Sequence, residues 1–135
     1  MAKRYVTPTV LLIEDERDIQ HFICRVLELE GYRVIKTCEG NTGLDMLVSN
    51  SVDLVLLDLC LPDLDGFSVL REIKNSPEFS PIPVVVITAV AGSAQRQKSA
   101  RLGAVRHLVK PLSAHRLYKT ISTVLEKENG PIISC

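Results

Sequence analysis

Five short runs rich in branched apolar residues punctuate the chain, separated by stretches whose apolar positions recur every three or four residues. Val10, Leu11, Leu12 and Ile13 form the first run, followed at once by acids, and their unbroken apolar character predicts a buried strand. Ile19, Phe22, Ile23, Val26 and Leu27 share one helical face and predict a helix that stops at Gly31. Residues 33–37 read as a second strand. Residues 41–49 predict a helix with Leu44, Leu47 and Val48 turned inward. Residues 54–57 form a third buried strand ending at Asp58, and residues 61–66 a loop before a helix over 67–74. A connection rich in Pro and Ser covers residues 76–83. A fourth strand then spans 84–88, a helix runs from about Ser93 to Leu102 and stops near Gly103, and a fifth strand spans 105–109. Ser113 is placed to cap a last helix that reaches about Lys127, with Gly130 and Pro131 ending it.

Five strands alternating with five helices predict an α/β fold. Near-continuous apolar strands mean one doubly wound parallel sheet covered on both faces. No repeat, linker or low-complexity stretch interrupts the pattern, so a single domain is expected over residues 1–135, with its core at about 9–128 and short tails. Hydrophobic residues at 46% and charged residues at 24% exclude disorder. With no Trp, the core must be built mainly from Val, Ile and Leu.

Cys24, Cys38, Cys60 and Cys135 form no C-x-x-C pair, and no His stands at metal-ligand spacing from them; reduced thiols are expected. The N-terminus has no signal-peptide pattern, and the apolar runs fall far short of the ~20 residues a membrane span needs. A cytoplasmic protein with no membrane partner follows. The net charge is zero but unevenly spread: residues 1–70 hold twelve acids and six bases, residues 71–135 four acids and ten bases.

Ligands of an open parallel sheet bind outside the carboxyl ends of its strands. Here the first strand ends in Glu14, Asp15 and Glu16, the third in Asp58, the fourth in Thr88, and the fifth in Lys110 and Pro111. Taken singly, each has a plainer explanation: an acid after a strand caps a helix, a strand Thr is there for its branching, and a Lys is surface. Together they have a chemical logic. Clustered carboxylates repel, and a hard divalent cation such as Mg²⁺ relieves that repulsion through oxygen ligands. Phosphoryl transfer needs mainly positioning and charge neutralisation, which a metal, a Lys and a hydroxyl supply, and a carboxylate serves as nucleophile.

These pieces resemble the receiver domain of two-component response regulators, chemotaxis-regulator-like, over residues 9–128. Leu11 to Asp15, Leu56 to Leu59 with Pro62 and Asp65-Gly66, Val86 to Ala89, and Gly103-Ala104 followed by Lys110-Pro111 carry the resemblance, in order and at the family's spacing. It implies the flavodoxin-like strand order 2-1-3-4-5. It also implies a phosphorelay function: a phosphoryl group taken from a histidine kinase or histidine phosphotransfer protein onto Asp58, with Mg²⁺, followed by a change of shape that controls a partner. By position, Asp15, Asp58 and the backbone carbonyl of Cys60 would ligate Mg²⁺, with Glu14 holding it through water. Lys110 would pair with phosphoryl oxygens, Thr88 would move to bond them, and the Lys110–Pro111 bond would be cis. Such a protein is not an enzyme beyond its own phosphorylation and slow dephosphorylation.

One position departs from the family. An aromatic residue that swings inward with the switch Thr is replaced by His107, smaller and able to carry charge. A pseudo-receiver, a phosphorylation-independent binding module, is the alternative, and intact Glu14, Asp15, Asp58, Thr88 and Lys110 argue against it. Output would pass through a protein effector on the face of helix four, strand five and helix five. From Phe79 to Leu125 the chain has seven Lys or Arg residues and no acid, which suits an acidic partner and disfavours the acid–base dimer some regulators form there. A monomer or weak dimer is expected. Nucleic acid is disfavoured because no aromatics interleave with the bases.

Overall fold

The computed structural model of the protein describes residues 7–129, with side chains described as far as Glu126. Five strands and five helices alternate: β1 (Thr9–Ile13), α1 (Arg17–Leu29), β2 (Arg33–Thr37), α2 (Gly40–Ser49), β3 (Leu54–Asp58), α3 (Gly66–Asn75), β4 (Val84–Thr88), α4 (Ser93–Arg101), β5 (Arg106–Val109) and α5 (Ala114–Asn129). The strands form one parallel sheet in the order β2-β1-β3-β4-β5, as expected. The proposed end of the last helix at Gly130 and Pro131 lies outside the described residues.

Alternation along each central strand feeds two separate cores. Val10, Leu12, Leu54, Leu56, Val85 and Ile87 pack on one face against Ile23, Leu27, Leu117 and Ile121 of α1 and α5. Leu11, Ile13, Val55, Leu57, Val84 and Val86 pack on the other against Leu47, Phe67, Leu70 and Ile73 of α2 and α3. Burying each such side chain contributes about 1.5–3 kcal/mol, so the three central strands are the rigid part of the molecule. Their carboxyl ends inherit that rigidity, which is what positions the site.

The local signals act as read. Ser113 Oγ accepts a hydrogen bond from the Arg116 N–H at 3.1 Å and caps α5. Gly31 ends α1 with φ at 93°, a left-handed conformation that only Gly adopts cheaply. Two helical faces are rotated from expectation. Phe22 is 38% exposed and Cys24 is buried instead; Val48 is 75% exposed, and α2 packs through Gly43 and Leu47. A second physical constraint explains the second case: Gly43 lies against Ile13, where a Cβ would collide with the Ile13 side chain, so α2 approaches the sheet along its glycine and presents Val48 to solvent. Strand β5 begins at Arg106, one residue later than expected, because Val105 bonds as a lead-in to Val84. Helix α4 contributes only Ser99 to the interior and is otherwise polar.

Candidate functional site

Asp58 is the last residue of β3 and 1% exposed. A carboxylate at that depth needs partners. It has two: the Cys60 N–H donates to Oδ1 at 3.0 Å, and Lys110 Nζ donates to Oδ2 at 3.1 Å. The loop after β3 is folded tightly to make the first contact. Cys60 bridges Asp65, whose side chain caps α3 through the Phe67 N–H, and Gly66 N–H donates to the Leu59 carbonyl. A Cβ on Gly66 would run into Leu59 and, at 2.7 Å, the Asp58 carbonyl, so only Gly closes this loop. Asp63 pins the same loop to α2, accepting from the Gly40 and Asn41 N–H groups at 2.8 and 2.9 Å. Those bonds hold the Asp63 carboxyl below its ordinary pKa.

Glu14 follows β1 and is fully buried. Its backbone is held by Thr37, and Gln20 of α1 donates to the Glu14 carbonyl at 3.0 Å. Burial, and then the neighbouring Asp58, push its carboxyl up to about 8. Lys110 reaches both: its Nζ lies 3.1 Å from Glu14 Oε1 and from Asp58 Oδ2, and 2.7 Å from Glu16 Oε1. Burial works against the Lys110 charge, but Glu16, Asp58 and Glu14 together hold its pKa above the ordinary value. The Lys110–Pro111 bond is cis, as the resemblance implied.

Glu14, Glu16 and Asp58 bring ligand oxygens within 4.8 Å of one another. Two of these were expected. Glu16 was not, and Asp15 is exposed and stands outside the cluster. Successive residues after a strand point in opposite directions, so a run of three acids delivers alternate members to the site; that alternation was the available signal. The donor set fits a hard cation: all ligands are oxygen, and Glu14 Oε1 receives no well-directed hydrogen bond despite its full burial.

Thr88 ends β4, is 3% exposed, and accepts a hydrogen bond from the Val90 N–H at 3.1 Å through Oγ1. Its carbonyl accepts from the Lys110 N–H at 2.8 Å, which ties β4 and β5 together at the site. His107 lies three residues back on β5. Its Nδ1 is 3.1 Å from the Oγ of the buried Ser99, and its Nε2 is buried without a hydrogen-bond partner among the described residues. Burial, and then Arg96, hold the His107 pKa below the ordinary value. Sequence reasoning found His107 but missed Ser99, whose burial depends on how α4 lies against β5.

A family model described as the response regulator receiver domain matches residues 10–122. The response regulator ArlR of Staphylococcus saprophyticus is 33% identical over 119 residues, covering 88% of this chain and 53% of ArlR. The protein PilH of Pseudomonas aeruginosa is 31% identical over 116 residues, covering 86% of this chain and 96% of PilH. The Mn²⁺-bound crystal structure of the response regulator Rcp1 superposes with a TM-score of 0.74 at 28% identity, covering 88% of this chain and 92% of that one. The chain spans about half the length of several curated relatives that it matches. With acids, hydroxyl and amine gathered at one sheet edge as this family gathers them, the chain belongs to the response-regulator receiver domains, the phosphoryl-accepting modules of two-component signalling.

Proposed function

We propose that Asp58 is the phosphoacceptor and that a histidine kinase or histidine phosphotransfer protein is the donor. The observation that carries this is the buried Asp58 carboxylate, paired at 3.1 Å with Lys110 beside a second buried acid. As the bond from an Asp58 oxygen to phosphorus forms, the phosphorus–nitrogen bond to the donor histidine breaks, and its electron pair leaves with the ring nitrogen. Lys110 keeps its proton throughout and neutralises phosphoryl oxygens. It can exchange partners readily, because its shortest pair is with Glu16, which is 59% exposed, and exposed ion pairs contribute only about 0–1 kcal/mol. Thr88 turns its hydroxyl from the Val90 N–H to the phosphoryl group.

Glu14, Asp58, the Cys60 carbonyl and Asp15, which adjoins two members of the cluster in the chain, would hold Mg²⁺. Bound there, the ion supplies charge neutralisation for acid and phosphate alike. Beyond accepting and slowly losing the phosphoryl group, the chain performs no enzymatic reaction. We read it as one cytoplasmic receiver domain; among the described residues no helix is long and apolar enough to cross a membrane. Its output reaches a protein effector through the face of α4, β5 and α5. Glu14, Asp58 and Lys110 meet at the sheet edge, which supports this reading over the pseudo-receiver one.

The test is intact mass after incubation with a small-molecule phosphodonor and Mg²⁺. Wild type gains one phosphate and Asp58→Asn gains none. Labelling of Asp58→Asn at the wild-type rate would remove Asp58 from this role.

A further inference from the structure

Helix α2 starts without a side-chain cap of its own. The opening N–H groups of a helix have no partner within it, and Glu39, at the capping position, accepts none of them through its side chain. The loop after β3 supplies the missing acceptor. Asp63 gives one carboxylate oxygen to each of two N–H groups: Oδ1 accepts from Gly40 at 2.8 Å and Oδ2 from Asn41 at 2.9 Å. The seam beneath these bonds is apolar. A Cβ on Gly40 would lie 2.8 Å from the Val69 side chain, 3.3 Å from Leu64 and 3.4 Å from Leu61, so glycine lets the start of α2 rest directly on the loop.

The same loop carries two groups of the site. The Cys60 N–H donates to Asp58 Oδ1 at 3.0 Å, and the Cys60 carbonyl is among the proposed Mg²⁺ ligands. Cys60 bridges Asp65, so residues 60–65 form a tight loop with Asp63 near its tip. The base of the loop is held from β3 and α3, where the Gly66 N–H donates to the Leu59 carbonyl. Asp63 fastens the tip. We infer that Asp63 is a positioning residue for the phosphoacceptor site: by tying the loop to α2 it keeps the Cys60 N–H on Asp58 and the Cys60 carbonyl in place for the cation. Asp63 stands outside the group of acids that could hold a metal, and both of its oxygens are already engaged. Its two bonds are charge-assisted and end on helix backbone, which makes them firmer than a pair of neutral side-chain contacts. The consequence for phosphorylation rests on the reading of Asp58 given above; the geometry of the clamp does not.

The test compares wild type with Asp63→Ala and Asp63→Asn in the full chain. In the metal-free protein, amide hydrogen exchange followed by NMR should quicken at Cys60 by at least about fivefold in Asp63→Ala and stay level at Leu12 and Leu56 in the central strands. Mg²⁺ affinity, measured by calorimetry, should fall about tenfold, as when a group that orients a metal ligand is lost. Labelling by a small phosphodonor should slow at limiting Mg²⁺ and return to within about twofold of wild type at saturating Mg²⁺. Asp63→Asn keeps one accepting oxygen and should fall between the two. Unchanged exchange at Cys60, or unchanged Mg²⁺ affinity, would overturn the assignment. Exchange quickened equally at Leu12 and Leu56 would also overturn it, because Asp63 would then serve the fold as a whole. A wild type that takes no phosphate would sink the reading of Asp58 alone; the exchange rates, measured without metal or phosphate, would still decide the role of Asp63.

Discussion

Lys110 Nζ lies 3.1 Å from Asp58 Oδ2, although 52 positions separate the two residues in the chain. Both side chains are nearly buried, at 10% and 2% exposure. The contact exists because β3 and β5 flank β4 and end at the same edge of the sheet. An amine placed there opposes any cation that seeks the same carboxylates and assists any anion that arrives beside them.

Lys110→Ala should therefore separate two properties. Phosphorylation by a small phosphodonor should slow by about 10²–10³, the usual loss when one charge-stabilising donor is removed. Mg²⁺ affinity, measured by calorimetry, should stay level or rise. A parallel fall in both would mean that the site had collapsed instead.

The lifetime of the phosphorylated form should turn on Cys60 and Val90. Both are exposed beside the site, and Val90 is 52% exposed. Neither orients water well: a thiol bonds weakly and Val not at all. Slow phosphate release in excess Mg²⁺ is expected, and Cys60→Asn with Val90→Glu should hasten it. A double variant no faster than wild type would show that water placement does not limit release.

Input should use the exposed side of α1. Phe22 is 38% exposed and Ile19 only partly buried, close in sequence to the acidic loop. Ile19→Asp should slow transfer from a cognate histidine donor while leaving labelling by a small phosphodonor intact. Equal loss of both reactions would assign Ile19 to the fold.

His107 should make stability depend on pH. Burial and Arg96 depress its pKa in the folded protein below the ordinary 6.5. The unfolded chain then takes up a proton at a higher pH than the folded one. The neutral ring's contribution is present above pH 6.5 and is lost as pH falls toward the folded value. The urea midpoint of wild type should fall more steeply than that of His107→Asn between about pH 7 and about pH 5. Identical slopes would show that His107 titrates alike in both states.

Neighbouring positions on α2 should differ sharply. Leu47 is 3% exposed and Val48 is 75% exposed. Leu47→Ala should cost about 2–5 kcal/mol in urea unfolding, and Val48→Ala should stay within about 0.5 kcal/mol. Comparable losses would restore Val48 to the core.

The strands were legible in the sequence because each central one is a near-continuous apolar run, and that pattern has one comfortable destination, a sheet covered on both sides. The site was legible because four strand ends carry its residues, and a parallel sheet puts all those ends on one edge. Ser113 as a cap and Gly31 as a helix end were readable for similar local reasons, whereas the cis Lys110–Pro111 bond was implied only by the family resemblance.

Other features depended on contacts between elements. Helical periodicity defines an apolar arc but not which edge of it a neighbour covers, so Phe22 and Val48 sit outside and Cys24 sits inside. Which members of the Glu14-Asp15-Glu16 run face Lys110 depends on the path of the loop, held by Gln20 and Thr37 from elsewhere. Asp63 caps a helix that precedes it by more than twenty positions, and Ser99 becomes a partner for His107 only once α4 lies on β5. Period and motif order alone thus determined the elements, their class and the chemistry at the sheet edge. Tertiary packing decided which side chains meet, because burial and hydrogen-bond pairing belong to neighbours in space rather than to neighbours in the chain.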